Sequence, residues 1–218
     1  MRPYVHINCA MSADGKIALP IRNQTTISSK EDFARVHRLR NKSDAILVGV
    51  GTVLADDPRL SVKSEFVARP KRPMRVLLDA MLRVPDGAKI LDPSAPTLIF
   101  SNRDAKASGR RFGPNVEVVH GGTGGMVDLK AALETMHGKG VRKILVEGGS
   151  EVIWSFLEQG LFDRLTIYVG SMVIGGRASP TPAGGEGAKR FEDIIPLKLL
   201  RTRRIGGGVL LEYAPTGR

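Results

Sequence analysis

Short apolar runs alternate with amphipathic helical patterns almost from end to end of this chain, and that alternation limits the possible folds more than any other feature. Tyr4–Ala10, Ala45–Val50, Met74–Asp79, Pro96–Ser101, Val116–His120, Lys143–Glu147 and Arg164–Ile174 are strand-length stretches rich in Val, Ile and Leu. Continuous apolar runs of this kind mark strands covered on both faces. Between them the period changes. Ser28 and Ser29 stand ahead of Lys30-Glu31-Asp32 at capping-box spacing, so a helix is expected over about Lys30–Asn41, with Phe33, Val36 and Leu39 on its apolar face. Leu129, Ala132, Leu133 and Met136 repeat at helical intervals and predict a helix over about Leu129–Gly138. A further helix over Glu151–Gln159 sets Val152 over Phe156 and Ile153 over Leu157. Strands interleaved with helices predict a three-layer α/β fold. Near the end of the chain, Leu197–Ile205 and Val209–Tyr213 flank Gly206-Gly207-Gly208 and read as a β-hairpin, so the central sheet should be mixed and mostly parallel. Ser64–Pro73 and Gly175–Gly187 read as loops. A length of 218 residues suits one domain over 1–218.

The totals exclude several classes. A single cysteine, Cys9, rules out an internal disulfide and a Cys-rich zinc site. No apolar run approaches the length of a membrane span, and the first residues lack the apolar core of a signal peptide, so a cytoplasmic protein is expected. The net charge of +11 fits either a nucleic-acid binder or an enzyme that attracts anionic small molecules. Aromatic residues are only 5% of the chain and the basic residues are scattered, which leaves little to stack on bases and favours the enzyme.

Three segments carry residue types suited to ligand chemistry. In Val48–Val62, VGVGTVLADDPRLSV, a buried strand runs into Gly49-Val50-Gly51 and Thr52, followed by Asp56, Asp57, Pro58 and Arg59. Glycines allow close approach of backbone to ligand, and the carboxyl end of a strand is where α/β sheets place ligands. A capped turn with solvated charges would use the same residues. In Leu145–Glu151, LVEGGSE, a strand ends in Glu147, then Gly148-Gly149, and Ser150 opens a helix. Free amides at a helix start suit a phosphate, although neither a G-x-G-x-x-G fingerprint nor a P-loop is present. Glu147, at the end of a buried strand, needs a partner, and a heterocycle bearing amino groups would serve. In Asn8–Ala18, NCAMSADGKIA, small residues at a strand end would let a flat ring lie against the backbone; taken alone, the segment is better explained as a plain β-turn.

The four histidines, His6, His37, His120 and His137, lack metal-ligand spacing, and no metal is expected. His37 and His137 read as surface or packing residues within helices. There is no zinc-deaminase signature and no G-x-S-x-G elbow.

Taken in order, MSADGKIA, SDAILVGVGTVLADDPRLSV, RVLLDAMLRVP and ILVEGGSEV resemble the pyrimidine reductases of riboflavin biosynthesis, most nearly the stand-alone archaeal type, over Pro3–Tyr213. The resemblance implies a dihydrofolate-reductase-like fold, a homodimer and NADPH as cofactor. It implies hydride transfer to C1′ of the ring-opened imine of 2,5-diamino-6-ribosylamino-4(3H)-pyrimidinone 5′-phosphate, giving the ribitylamino product. Carried over by position, it places Ala10, Thr52, Asp56, Asp79, Ala80, Met81, Leu82, Gly148, Gly149, Ser150 and Glu151 on the cofactor, and Asn8, Arg40, Leu60, Lys63 and Glu147 on the substrate. Charge alone adds Arg83 for the cofactor 2′-phosphate and Arg59 for the substrate phosphate. Bacterial bifunctional relatives tend to have Lys where this chain has Asn8, and often Arg where it has Lys63; Asn8 fits a pyrimidine that is still aminated. No residue stands out as the proton donor. A dihydrofolate reductase proper would need a carboxylate on the first helix facing a pterin, and here Glu31 and Asp32 sit at the helix start, where capping accounts for them.

Overall fold

The structure, a computed structural model, describes residues 1–20 and 26–216. In chain order its elements are β1 (Tyr4–Ser12), α1 (Lys30–Asn41), β2 (Ala45–Gly49), α2 (Val50–Asp56), β3 (Met74–Leu78), β4 (Thr97–Ser101), β5 (Val116–His120), α3 (Leu129–Gly138), β6 (Lys143–Val146), α4 (Ser150–Glu158), β7 (Arg164–Gly170), β8 (Leu197–Ile205) and β9 (Gly208–Pro215). They fall into two compact units. One comprises Met1–Tyr4 with His37–Leu145, the other Val5–Val36 with Val146–Arg218.

In the first unit the strand order is β5-β4-β3-β2-β6. β2, β3, β4 and β5 pair in parallel. β2 and β4 are buried along their whole length; β2 is apolar throughout, and in β4 Leu98-Ile99-Phe100 lie between Thr97 and Ser101, whose hydroxyls donate to the Ile90 and Ala80 carbonyls. One face of this sheet meets Val50, Val53, Leu60, Leu82, Val84 and Ile90 in a single apolar cluster. α3 forms where its period predicts. Asp128 caps it by accepting the N–H groups of Lys130 and Ala131 at 2.9 and 3.1 Å, and Leu129, Ala132, Leu133 and Met136 are its buried residues. Full burial of each large one contributes about 1.5–3 kcal/mol. α2 ends at Asp57, whose left-handed backbone (φ 42°) turns its N–H onto Val53 O at 3.0 Å. Pro58 then has no N–H with which to continue the helix.

In the second unit the order is β1-β7-β9-β8. β1 and β7 are parallel, while β7–β9 and β9–β8 are antiparallel, the last pair forming the expected hairpin. β7 stops at Gly170, short of the expected Ile174. Its last pair with β9 is Val169↔Val209, and Met172 N–H turns back onto Gly170 O at 2.8 Å.

The expected inner face of α1 is also revised. Phe33 is 40% exposed, and the buried residues are Asp32, Arg35 and His37. Asp32 takes the Ser28 hydroxyl at 2.6 Å and Arg35 Nε at 2.7 Å, so a paired polar group occupies the inner position. Only the serine half of the expected capping box is present: Ser29 Oγ accepts Asp32 N–H at 3.2 Å, while the Asp32 carboxylate, expected to cap, turns inward to Ser28 and Arg35.

Candidate functional site

Within the first unit, two adjacent parallel strands deliver the candidates. Gly49 of β2 lies opposite Leu78 of β3, so the carboxyl ends of the two strands are level. α2 starts from one end and the turn Asp79–Arg83 from the other, the position at which open α/β sheets bind ligands. Thr52 is half-buried in the first turn of α2. Asp56 is exposed but crowded by protein atoms, which raises its carboxyl above the usual range. Asp57 differs. Its Oδ1 accepts Lys89 N–H at 2.7 Å and its Oδ2 lies 3.2 Å from Lys89 Nζ; the backbone hydrogen bond lowers this carboxyl.

Arg59 is held too: its Nη1 donates to Asp92 Oδ2 at 3.1 Å. Asp92 also accepts from Arg75 Nη1 at 2.9 Å and from Ser94 N–H. Arg75 is only 1% exposed, and its guanidinium additionally bonds the Asp92 and Ala95 carbonyls. Burial alone would raise the Asp92 carboxyl, but the bonds from Ser94 and Arg75 outweigh it and hold it at about 2. Leu60 (φ 50°) turns its side chain into the apolar cluster. Lys63 lies exposed beyond it, and Arg40 Nη1 donates to Ser61 O at 3.0 Å.

The turn after β3 is built around a buried carboxylate. Asp79 Oδ2 accepts Val84 N–H at 2.8 Å, whereas its buried Oδ1 makes no hydrogen bond and has Arg83 Nε at 4.0 Å. Leu82 (φ 55°) joins the apolar cluster. The outward part of the turn is therefore Ala80, Met81 and the exposed Arg83, with Asp79 and Leu82 holding its shape from inside.

In the second unit, Asn8 on β1 faces Thr166 of β7 in register and is 6% exposed. Its Oδ1 is buried without a hydrogen-bond partner, an open acceptor in a strand. Ala10, two residues on, is half-buried opposite Tyr168. Glu147 is half-buried after β6, and Gly148 (φ 121°) and Gly149 lead into α4, whose N-cap Gly149 supplies no side chain. Ser150 O accepts Gly184 N–H at 3.1 Å. A Cβ on Gly184 would lie 2.9 Å from both Ser150 Oγ and Glu151 Oε1. The loop after β7 thus rests on the first turn of α4, and a side chain at 184 would have to displace the Ser150 and Glu151 side chains. The Asp14-Gly15-Lys16 turn is a real turn, tied to that same loop. Asp14 accepts the Ser12 hydroxyl at 2.6 Å and the Ile174 and Gly175 N–H groups at 3.0 and 2.7 Å, and these hold its carboxyl at about 2, the Ser12 bond most strongly.

The family model of the RibD C-terminal domain matches residues 3–211. The chain belongs to this family. It is 41% identical over 218 residues to the 2,5-diamino-6-ribosylamino-4(3H)-pyrimidinone 5′-phosphate reductase of Methanothermobacter thermautotrophicus, covering all of both chains. It is 44% identical over 225 residues to the protein of the same name from Archaeoglobus fulgidus, covering 100% of this chain and 99% of that one. Among solved structures, a Thermotoga maritima diaminohydroxyphosphoribosylaminopyrimidine deaminase/5-amino-6-(5-phosphoribosylamino)uracil reductase superposes with a TM-score of 0.83 at 25% identity, over 99% of this chain and 57% of that one. The fold is accordingly the dihydrofolate-reductase-like α/β class expected from the sequence.

Against this RibD-type background, the residues that sequence reasoning missed are those that hold others in place. Asp92, Arg75 and Gly184, and the tie from Asp57 (named in the motif) to Lys89, act on partners distant in the chain, so no local pattern marks these contacts. His37, read as packing, is buried and accepts a hydrogen bond from the Lys63 backbone. Cys9 is hemmed in by protein atoms, which pushes its thiol up to about 12 and leaves no reactive thiolate at neutral pH. Asp32, one of the two carboxylates at the start of the first helix, is taken up by Ser28 and Arg35.

Among the described residues, no cluster of three or more His, Cys, Asp or Glu could hold a metal, and no helix is long and apolar enough to cross a membrane. A groove of about 480 Å³, lined by Arg72, Pro96, Asn115 and Glu117 among others, contains none of the candidate residues. It lies near the amino ends of β3, β4 and β5, away from the carboxyl ends that α/β folds use for ligands.

Proposed function

We propose that this RibD-family chain reduces 2,5-diamino-6-ribosylamino-4(3H)-pyrimidinone 5′-phosphate to its ribitylamino product, using NADPH. The whole chain, 1–218, acts as a single reductase domain, as a cytoplasmic homodimer. The observation that carries the choice of substrate is the unpartnered Asn8 Oδ1. A buried acceptor without a donor is costly, and an amino group on the pyrimidine supplies the missing donor. A lysine at this position, as in bacterial relatives, offers only donors and suits a ring carbonyl instead.

Thr52, Asp56, Ala10, Gly148, Gly149, Ser150, Glu151 and the turn Asp79-Ala80-Met81-Leu82-Arg83 bind and orient the cofactor in this reading. Its fit is supported by the level strand ends of β2 and β3, the side-chain-free N-cap at Gly149 and the exposed Arg83 guanidinium, which suits a 2′-phosphate. The cofactor supplies the hydride. Asn8 and Glu147 hold the amino-pyrimidine, and Lys63 and Arg40 face its phosphate. Leu60 and the tethered Arg59 fix the segment from which Lys63 projects. Holding the sugar C1′ at the hydride donor in a fixed orientation is the main contribution such a site makes. The proton for the imine nitrogen comes from solvent or from the substrate itself, with no side chain assigned.

The test is cofactor oxidation with the aminated pyrimidine, its deaminated counterpart and dihydrofolate, each with NADPH and NADH. The expected result is turnover with the aminated substrate and a lower KM for NADPH. Absence of turnover with either pyrimidine refutes the proposal. Glu147→Gln should raise KM for the pyrimidine about tenfold, the worth of one charged hydrogen bond, without moving KM for NADPH. Chromatography with light scattering reads the dimer.

A further inference from the structure

The loop that carries Lys63 is organised by a residue that the ligand assignment leaves out. His37 lies in the second half of α1 and is 4% exposed. Its Nδ1 accepts the main-chain N–H of Lys63 at 3.2 Å. A ring nitrogen that accepts carries no proton, so the neutral imidazole here has its hydrogen on Nε2. The ring also stacks on Phe66, with centroids 4.9 Å apart and planes 18° from parallel. Phe66 reaches it through a turn in which its own N–H bonds Lys63 O at 3.2 Å.

The same helix end holds the loop at two more points. Arg40, one turn beyond His37 and on the same face, donates to Ser61 O at 3.0 Å. Asn41 Oδ1 accepts Lys71 N–H at 2.6 Å. The main chain of this loop is therefore anchored at Ser61, Lys63 and Lys71, while the Lys63 side chain stays 61% exposed. Its nearest carboxylate, Glu65, is 3.8 Å away and equally exposed, a pair too weak to compete with a doubly charged phosphate.

We propose that His37 is a positioning residue for recognition of the substrate 5′-phosphate, acting through the Lys63 backbone. This rests on the reading of Lys63 as a phosphate contact. A lysine brings a point charge on a flexible stem, and binding must overcome the entropy of fixing it. Fixing the main chain at Lys63 beforehand removes part of that cost. His37 touches neither cofactor nor reacting atoms, so its loss should weaken phosphate binding and leave hydride transfer alone.

The test compares steady-state kinetics of three variants on the phosphorylated substrate and on the same compound without its phosphate. His37→Phe keeps the stack and removes the acceptor. Its KM for the phosphorylated substrate should rise roughly tenfold, the upper range for one hydrogen bond, with kcat and the NADPH KM within about twofold. KM for the dephosphorylated compound should not change. His37→Asn places an acceptor oxygen near the Nδ1 position and should recover most of the loss. In a Lys63→Ala background His37→Phe should add nothing further, since the two act as one unit.

Equal KM increases for both compounds, or effects of His37→Phe and Lys63→Ala that multiply, overturn the proposal and leave His37 a packing residue. If Lys63→Ala leaves the phosphorylated KM unchanged, the assignment of Lys63 itself falls, and the positioning role with it. If Lys63→Ala raises that KM and His37→Phe does not, only the positioning role falls. Should His37→Phe fail to fold, Phe66→Leu is read in its place. It removes the ring partner alone and should raise the phosphorylated KM about threefold, with no effect on the dephosphorylated compound.

Discussion

Asp56 and Asp57 are neighbours in sequence with different work to do, and replacing each by alanine separates them. Asp57 accepts Lys89 N–H at 2.7 Å and pairs with Lys89 Nζ at 3.2 Å. A hydrogen bond to a charged group contributes about 1.5–3 kcal/mol when shielded. Both side chains are about half exposed, so about 1 kcal/mol survives solvent screening. Asp57 also sits at φ 42°, a left-handed conformation that Asp and Asn tolerate and that costs Ala about 1 kcal/mol more. Asp57→Ala should therefore lose about 2 kcal/mol. In a chain of this length each kcal/mol moves Tm by about 2–4 °C, which gives a fall of about 4–8 °C. Asp57→Asn keeps the backbone preference and an acceptor oxygen, and should lose about half as much. Asp56 makes no such bond, and Asp56→Ala should stay within about 0.5 kcal/mol. Its effect should appear instead as a rise of about tenfold in KM for NADPH. Calorimetric melts and steady-state kinetics on the three variants decide the matter. Equal falls in Tm for both alanine variants, or a fall below about 1 °C for Asp57→Ala, would refute the division of labour.

Two further expectations follow from packing and charge. A Cβ on Gly208 would press on the Tyr168 ring and lie 2.5 Å from Val169 O, so Gly208→Ala should cost about 1–3 kcal/mol; Gly207→Ala, with open space around it, should cost far less, and equal melting temperatures would contradict the packing described. Asp92, held at about 2 against an unfolded value of about 3.9, adds stability that is present above about pH 4 and lost as pH falls towards 2. Asp92→Asn should flatten that part of the acid transition and lower Tm at neutral pH by leaving the Arg75 guanidinium without its counter-ion; a constant difference in Tm from parent across about pH 2–6 would count against it.

Elements whose stability comes from apolar burial were legible in the sequence. α3 shows this best, because the four residues at helical spacing are the four it buries and its cap, Asp128, is the residue just before. α1 shows the opposite. Its inner face is a carboxylate, a guanidinium and an imidazole, and apolar periodicity pointed to Phe33, which faces water. A polar residue can be buried only where a partner satisfies it, and Ser28 for Asp32 or Lys63 N–H for His37 is a tertiary fact. The candidate site divides in the same way. The motif as a whole stood out by its composition, as did the glycine pair before α4. Which of two adjacent aspartates faces outward depended on Lys89, 32 positions along the chain. The open acceptor at Asn8 could not be read either, since it requires knowing that no neighbour donates to it.

The segment from Val48 to Val62 carries two non-glycine residues with positive φ, Asp57 at 42° and Leu60 at 50°, where glycine would be unstrained. The side chains explain the choice. Asp57 ties the end of α2 to Lys89, and Leu60 is buried in the apolar cluster with Val53, Leu82 and Ile90. Burial of a leucine contributes about 1.5–3 kcal/mol, more than the roughly 1–2 kcal/mol that a left-handed conformation costs. Arg59, between them, is tethered to Asp92. The strained backbone is thus fixed on both sides of the Pro58-Arg59 corner, and the chain leaves it in a set direction before reaching Ser61 and Lys63, where Arg40 and His37 take hold. Glycine at either position would relieve strain and remove the fixture. On the proposed reading, in which Asp56 serves the cofactor and Lys63, just beyond this segment, the substrate phosphate, the fixture matters more than the relief.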